Sequence, residues 1–157
     1  MLEAGEDPLF IARRLVILAS EDIGLADPQA LLLAVAAQQA VHFIGMPEGY
    51  LTLTECTLYL ATAPKSNSSL TSYARAQEDV AATLNQPVPL HLRNAVTGLN
   101  RAQGFGKGYL YAHDYEGHHV RQEYLPSELL GHRYYQPGDQ GKEVEIAERL
   151  QDTRGDD

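Results

Sequence analysis

Residues 6–28 decide the fold, and their sequence is EDPLFIARRLVILASEDIGLADP. Within this stretch Asp7 precedes Pro8, and Asp27 precedes Pro28. An aspartate just before a helix accepts hydrogen bonds from backbone N–H groups that have no partner inside the helix, and proline needs no N–H at the first helical position. The stretch therefore predicts the starts of two successive helices.

Outward from this stretch, the spacing of apolar residues predicts four helices in the first half of the chain. Their expected ranges are 8–21, 28–44, 47–63 and 69–84. The second is apolar nearly all round, which predicts a central, buried helix that ends at Gly45. The fourth is expected to direct one side toward the core, and that side consists of Leu70, Tyr73, Ala74, Ala81 and Leu84.

The second half of the chain is less regular. Residues 86–89 contain two prolines and are predicted to be extended, because proline moves its predecessor out of the helical region. We expect a short helix over 91–103, a helical turn from Pro126 and a polar helix over about 142–150. The prediction is a mainly α protein with one domain over 1–157 and four to six helices. Its parts are a helical bundle core over 1–85, a loop-rich, Tyr/Gly-rich cover over 86–139 and a C-terminal helix over 140–151.

The composition excludes some classes of protein. The net charge of −9 argues against a surface that coats duplex DNA, because phosphate contacts need clustered cations. Residues 91–133 differ from the whole chain in charge, because they contain five Lys and Arg residues and only four Asp and Glu residues. The one cysteine, Cys56, lies in an apolar helical pattern, which predicts a buried thiol in a reducing compartment. Without a signal peptide or an apolar run of bilayer length, we expect a cytoplasmic protein and no membrane partner.

The glycine-rich residues 104–108 do not form a nucleotide-binding motif. A Walker A loop needs glycine where Arg101 stands and a hydroxyl residue where Gly108 stands. The segment is therefore interpreted as a tight bend.

Other reactive residue types also lack the necessary spacing. His113, Asp114, His118 and His119 are metal-ligand types, but an irregular loop does not make them converge. The serines at 66, 68 and 69 are expected to cap the fourth helix. We assign no catalytic residue, no cofactor-binding residue and no metal ligand.

Basic and aromatic residues alternate between residues 93 and 135. Single-stranded nucleic acid is bound by basic grooves that also carry aromatic side chains for base stacking. The alternative is that the tyrosines form the core of a segment that has little helix. The candidate nucleic-acid contacts are Arg93, Arg101, Lys107, Arg121 and Arg133, together with Tyr109, Tyr111, Tyr115, Tyr124, Tyr134 and Tyr135.

Several blocks in one order resemble a known family over nearly the whole chain. After GEDP at 5–8 they are 12–15 (ARRL), 20–24 (SEDIG), 60–67 (LATAPKSN), 88–94 (VPLHLRN), 106–109 (GKGY), 111–114 (YAHD), 124–126 (YLP) and 133–135 (RYY). The chain resembles the C-terminal region of the RarA/MgsA replication-associated AAA+ ATPases, whose eukaryotic relative is the Werner-helicase-interacting protein. His118 and His119 depart from the small or apolar residues that the family has there.

The resemblance implies a clamp-loader-collar-like helical domain that assembles subunits into a homotetramer. It implies a parent protein that is a DNA-dependent ATPase in replication-fork maintenance, recombination and DNA repair, and that associates with DNA and with single-stranded-DNA-binding protein. ATP and magnesium would be bound by an ATPase module upstream, so this chain itself is expected to hold no cofactor and to be no enzyme. The leading hypothesis is therefore an oligomerisation domain. The alternatives are a single-stranded nucleic-acid-binding module over 93–135 and a small metal-dependent enzyme.

Overall fold

The computed structural model describes residues 1–83 and 86–154, and it is mainly helical with no strand among them. This confirms the predicted fold class. The α-helices of the described residues are α1 (Pro8–Leu18), α2 (Gln29–Ile44), α3 (Gly49–Thr62), α4 (Ser68–Thr83), α5 (Gly98–Ala102) and α6 (Glu143–Arg154). The described part of the segment between α4 and α6 also contains short 3₁₀ turns, including one at Ser127–Leu129 directly after Pro126, as predicted.

The helix ends follow the local chemistry of the sequence. One carboxylate oxygen of Asp7 accepts a hydrogen bond from the Leu9 N–H at 3.1 Å, and one of Asp27 accepts from the Gln29 N–H at 3.1 Å. Gly45 ends α2 with a φ of 75°, a backbone conformation that glycine adopts without steric cost. These helix starts and this helix end are therefore confirmed.

The expected helix over 91–103 is wrong in its extent. The structure has a 3₁₀ turn at Leu90–Leu92 and then only the five-residue α5. Thr97 is extended, with φ −107° and ψ 163°, and its side chain accepts a hydrogen bond from the Asn100 N–H at 3.1 Å. Because this is the geometry of a helix start, a helix cannot run continuously through Thr97.

Close contacts along the chain group the residues into two compact units. The first unit consists of residues 1–74 and 135–149, and the second consists of 75–134 and 150–157. The prediction of one domain with a core, a cover and a final helix stays a prediction.

The core of the first unit is formed by α1, α2 and α3, which pack on one another. Most of the buried side chains of this core are small. The full set is Ala12, Leu15, Ala19, Ile23, Ala30, Ala34, Ala37, Val41, Leu53, Cys56 and Leu60. Burial, helped by the charge of Glu55, raises the pKa of the Cys56 thiol, so Cys56 is the buried thiol that the sequence predicts.

The prediction for the inward side of α4 is wrong. Leu70 is 50% exposed, Tyr73 is 66% exposed, and Ala74 and Ala81 are also exposed, while Leu84 lies outside the described residues. The buried side chain of this helix is Ser68. Its hydroxyl donates a hydrogen bond to Glu143, 75 residues away in sequence, and a pattern of local hydropathy contains no information on such a partner.

Candidate functional site

The outer side of α2 carries large apolar side chains that face solvent. Leu32 is 64% exposed and Phe43 is 90% exposed, and Leu31, Val35 and Ile44 are exposed as well. Positions 32, 36, 39 and 43 recur at intervals of three and four residues, so they share one side of the helix. The opposite side contains the buried residues Ala30, Ala34, Ala37 and Val41.

The prediction that α2 is a central, buried helix is therefore wrong. Within the described residues, α1 and α3 are the α-helices that pack extensively on it, and they cover only its alanine side. Small side chains allow the three helices to approach closely, and the large side chains are left outside. A helix that buries Ala30, Ala34 and Ala37 and exposes Leu32 and Phe43 presents an apolar surface of the kind that marks an interaction site.

Glu143 is a charged residue with no exposed surface, and it lies at the start of α6. Its carboxylate accepts hydrogen bonds from the hydroxyls of Ser66, Ser68 and Tyr135 and from the Gly138 N–H, at 3.0 Å for Tyr135 and 2.9 Å for Gly138. Burial acts to raise the pKa of Glu143, but these hydrogen bonds outweigh burial and lower it. The arrangement stabilises a carboxylate and holds it out of solvent.

The sequence pattern does not indicate this acidic site. Glu143, Glu145 and Glu148 all belong to one polar helix, and nothing in the spacing separates the first from the other two. Ser66 caps α4, as predicted: the Ser68 N–H donates to the Ser66 hydroxyl oxygen at 3.1 Å. Ser68 does not cap the helix, because it is the first residue of α4 and its hydroxyl donates to Glu143. The contact of both hydroxyls with Glu143 could be found only from the tertiary structure.

A second polar pair lies in the second unit. The Nδ1 atom of His132 is 2.7 Å from a carboxylate oxygen of Asp79. Hydrogen bonds from His132 and from Tyr134 lower the pKa of Asp79. The Arg75 guanidinium donates to the Tyr134 carbonyl oxygen at 2.9 Å. These contacts connect α4 to residues 132–134.

The histidine cluster at 113–119 comes together only in part. The rings of His113 and His118 lie 5.0 Å apart between centroids, and Tyr111 lies 5.1 Å from His113. Within residues 1–83 and 86–154, no group of three or more His, Cys, Asp or Glu side chains is arranged to hold a metal ion.

The tyrosines of the second unit are mostly exposed rather than buried. Tyr109, Tyr111, Tyr115 and Tyr124 are 48%, 54%, 41% and 54% exposed. Leu129 is the buried hydrophobic side chain among the described residues of this unit. The interpretation that these four tyrosines form a core is therefore wrong, because their rings are accessible to a ligand.

Two of these tyrosines border a cavity of about 450 Å³ in the second unit. The other residues that line it include His91, Arg93, Asn94 and Gly106. Of the five candidate cations, Arg93 is half-buried and lines this cavity, and the side chains of Arg101, Lys107, Arg121 and Arg133 are exposed. The cavity thus brings one of the predicted cations together with Tyr109 and Tyr124.

The family model for the C-terminal region of the MgsA AAA+ ATPases matches residues 1–154. The chain belongs to the MgsA family. Among its curated relatives is an uncharacterized AAA domain-containing protein of Mycobacterium tuberculosis, which is 53% identical over 154 residues. The replication-associated recombination protein A of Coxiella burnetii is 44% identical over 152 residues, and the ATPase WRNIP1 of Dictyostelium discoideum is 47% identical over 137 residues.

The matches cover nearly all of this chain but a minor part of each MgsA relative. They span 98%, 96% and 87% of the chain, and 34%, 34% and 16% of the three relatives in the same order.

No helix in the described part of this MgsA-family chain combines the length and apolar composition needed to cross a membrane.

Proposed function

We propose that this chain is the oligomerisation domain of an AAA+ ATPase that acts in replication-fork maintenance, recombination and DNA repair, and that it assembles copies of itself into a homotetramer. The observation that carries the proposal is the exposed apolar side of α2. Full burial of one large apolar side chain contributes about 1.5–3 kcal/mol. Leu32 and Phe43 contribute little of this within a single chain, because 64% and 90% of their surfaces remain exposed.

A second copy is the partner that this surface favours. A symmetric oligomer uses one patch against itself or against a second patch on the same chain, so each chain must carry a self-compatible apolar surface. The outer side of α2 over residues 32–43 contains no charged residue. A chain with net charge −9 repels its copies through most of its surface, and an uncharged apolar side allows contact where repulsion is least.

The role we propose for this chain is assembly, without catalysis of its own. ATP and magnesium would be bound by the ATPase module of the full-length protein. DNA and single-stranded-DNA-binding protein would be partners of that full-length protein, in the cytoplasm. Names of relatives support this context, since they include a replication-associated recombination protein and an ATPase.

Light scattering over a concentration series tests the proposal on the 157-residue chain. We expect the mass of a tetramer, and we expect Leu32→Asp with Phe43→Asp to lower that mass. Val96→Asp is the matched control, because Val96 is 76% exposed and lies in the second unit. A monomer at every concentration, or an equal loss of mass in the Val96 variant, would contradict the assignment to α2.

The exposed tyrosines favour a second candidate function, a single-stranded nucleic-acid-binding module over residues 93–135. Accessible aromatic rings are needed for base stacking, and four of the six candidate tyrosines are at least 41% exposed. Lys107 and Arg101 are exposed, and their side chains make no hydrogen bond or ion pair within residues 1–83 and 86–154. This function predicts salt-sensitive binding that decreases when Arg101 or Lys107 is replaced by alanine.

A further inference from the structure

The cavity of the second unit has walls that hydrogen bonds connect. The Gly106 N–H donates to the Leu90 carbonyl oxygen at 2.9 Å, which attaches the glycine-rich bend to the segment that continues through Arg93. On another side, the Nε2 atom of His91 lies 2.7 Å from the Glu123 carbonyl oxygen, directly before Tyr124. The cavity therefore exists before a ligand binds.

A cation is held in place at the wall of this cavity. The Nε–H of Arg93 donates to the Val88 carbonyl oxygen at 2.6 Å. The guanidinium carbon of Arg93 lies 5.2 Å from the centre of the Phe105 ring, within the range of a cation–π contact. Because the side chain is held by two contacts, little conformational entropy is lost when an anionic or electron-rich ligand binds beside it.

The remaining lining supplies aromatic surface and an amide. Tyr109 and Tyr124 are half-exposed where they line the cavity, so ring surface is available to a flat ligand. Asn94 is exposed, and its side chain makes no hydrogen bond within the described residues. An amide offers both donors and acceptors, as do the edges of nucleobases.

Size and position agree with one class of ligand. Small-molecule sites commonly have volumes of about 300–1,000 Å³, and this cavity has about 450 Å³. Lys107 follows Gly106 directly in the chain, so an exposed cation lies next in sequence to the lining. A flat, hydrogen-bonding group on an anionic backbone uses all of these features.

We propose that this cavity binds one unstacked nucleobase of a single strand, an inference that rests on the second candidate function. The base lies against the ring of Tyr109 or Tyr124, and Asn94 hydrogen-bonds its edge. Arg93 and Lys107 interact with the flanking backbone. Residues 91–109 and Tyr124 thus form a base-binding subsite within the wider basic and aromatic segment.

Fluorescence anisotropy with the 157-residue chain tests the subsite. The probe is a labelled thymidine homopolymer of about 15 nucleotides, close to the largest site sizes of single-strand-binding modules. A second probe has the same backbone without bases. We expect the first to bind at least about fivefold more tightly, because only its bases can stack on the ring of Tyr109 or Tyr124.

Variants locate the binding. Tyr109→Leu and Tyr124→Leu should each weaken binding of the thymidine strand about fivefold or more, by loss of one stacking partner. Tyr111→Leu is the matched control, since Tyr111 is 54% exposed but does not line the cavity. Asn94→Ala removes an exposed side chain that makes no hydrogen bond within residues 1–83 and 86–154, so we expect it to leave the fold intact and to weaken binding. Circular dichroism verifies that every variant keeps its helix content.

The outcomes separate this subsite from the function on which it rests. Binding that the cavity variants leave unchanged overturns the subsite but leaves a single-strand-binding module. Equal affinity for the abasic strand overturns the subsite as well, because contact is then electrostatic alone. No binding of either strand overturns both. Weaker binding in all three cavity variants, with the Tyr111 variant unchanged, supports the subsite.

Discussion

Replacement of Glu143 tests how strongly the start of α6 is held against the rest of the first unit. Its carboxylate accepts four hydrogen bonds, from Ser66, Ser68, Tyr135 and the Gly138 N–H. Glu143→Ala leaves no charge behind, but it leaves the buried Ser68 hydroxyl and the half-buried hydroxyls of Ser66 and Tyr135 without this acceptor. A buried polar group that loses its hydrogen-bond partner costs about 1–3 kcal/mol. We therefore expect Glu143→Ala to lower the free energy of unfolding by about 3–5 kcal/mol, the cost of roughly two such groups.

Glu143→Gln should lower the free energy of unfolding by less, about 1–3 kcal/mol, because only the charge is lost. The amide oxygen can still accept from the Gly138 N–H, and the hydroxyls of Ser68 and Tyr135 can rotate to accept from the amide N–H groups. Urea unfolding followed by circular dichroism measures these differences. Glu148→Ala is the control, since Glu148 lies on the same helix and is exposed. If the Ala variants of Glu143 and Glu148 differ by less than about 0.5 kcal/mol, the reasoning is refuted.

The pH dependence of the free energy of unfolding is a second, independent test of the role of Glu143. The pKa of Glu143 is lowered in the folded chain, so the carboxylate stabilises the fold above its unfolded-state pKa of about 4.3. This contribution is lost as the pH falls through the folded-state pKa. The stability difference between the unmodified chain and Glu143→Gln should therefore be full at pH 7 and should decrease below about pH 4. A difference that grows on acidification would contradict a lowered pKa.

Other predictions concern single contacts. Gly141→Ala should destabilise the fold by about 1–3 kcal/mol beyond the usual cost of a left-handed residue, because its Cβ would overlap the Ala26 carbonyl oxygen. Thermal unfolding measures this difference. Asp7→Ala should cost about 1 kcal/mol through loss of the α1 cap, measured in urea. Burial, with the hydrogen bond to Glu143 and its charge, raises the pKa of Tyr135 to about 12, so a pH titration of tyrosine absorbance should show a late step there. The stability that this hydroxyl contributes is full below its unfolded-state pKa of about 10, and it is lost as the pH rises to about 12.

Each of these has a matched control. Gly131 also has a positive φ, but nothing lies within 4 Å of an added Cβ, so Gly131→Ala should cost only about 1–2 kcal/mol. Glu6→Ala changes the acidic residue next to Asp7 and should leave the cap of α1 intact. In Tyr135→Phe the step near pH 12 should be absent; a step that persists would assign it to another tyrosine.

Helix ends could be predicted from the sequence because their chemistry is local. Asp7 and Asp27 bind N–H groups only two residues away, and Gly45 supplies a left-handed φ that depends on its own missing side chain. Helix existence could be predicted for the same reason. The predicted helix over 91–103 is interrupted at Thr97, because this residue is extended, and the spacing of apolar residues does not indicate such an interruption.

The direction that each helix faces could not be predicted in the same way. The spacing of apolar residues shows where an apolar stripe lies on a helix. It does not show whether another segment of the chain, a partner or solvent lies against that stripe. Leu70 and Tyr73 form a regular stripe that faces solvent, while Ser68 is buried by a partner 75 residues distant. The same limit applies to Phe43, whose exposure no local pattern could reveal. The cavity of the second unit likewise depends on contacts between residues distant in sequence, such as His91 with the Glu123 carbonyl oxygen, which are 32 residues apart.

The discontinuity of the first unit has a consequence for synthesis on the ribosome. Residues 1–74 emerge first, and residues 135–149 follow only after the 60 residues from 75 to 134. At about 5–20 residues per second, this delay is about 3–12 s. During that time the hydroxyl of Ser68 has no carboxylate partner, and the nascent helices expose surface that Glu143 and its segment later cover. A nascent chain is thus open to chaperones and proteases for seconds, and a product truncated before residue 135 never leaves that state.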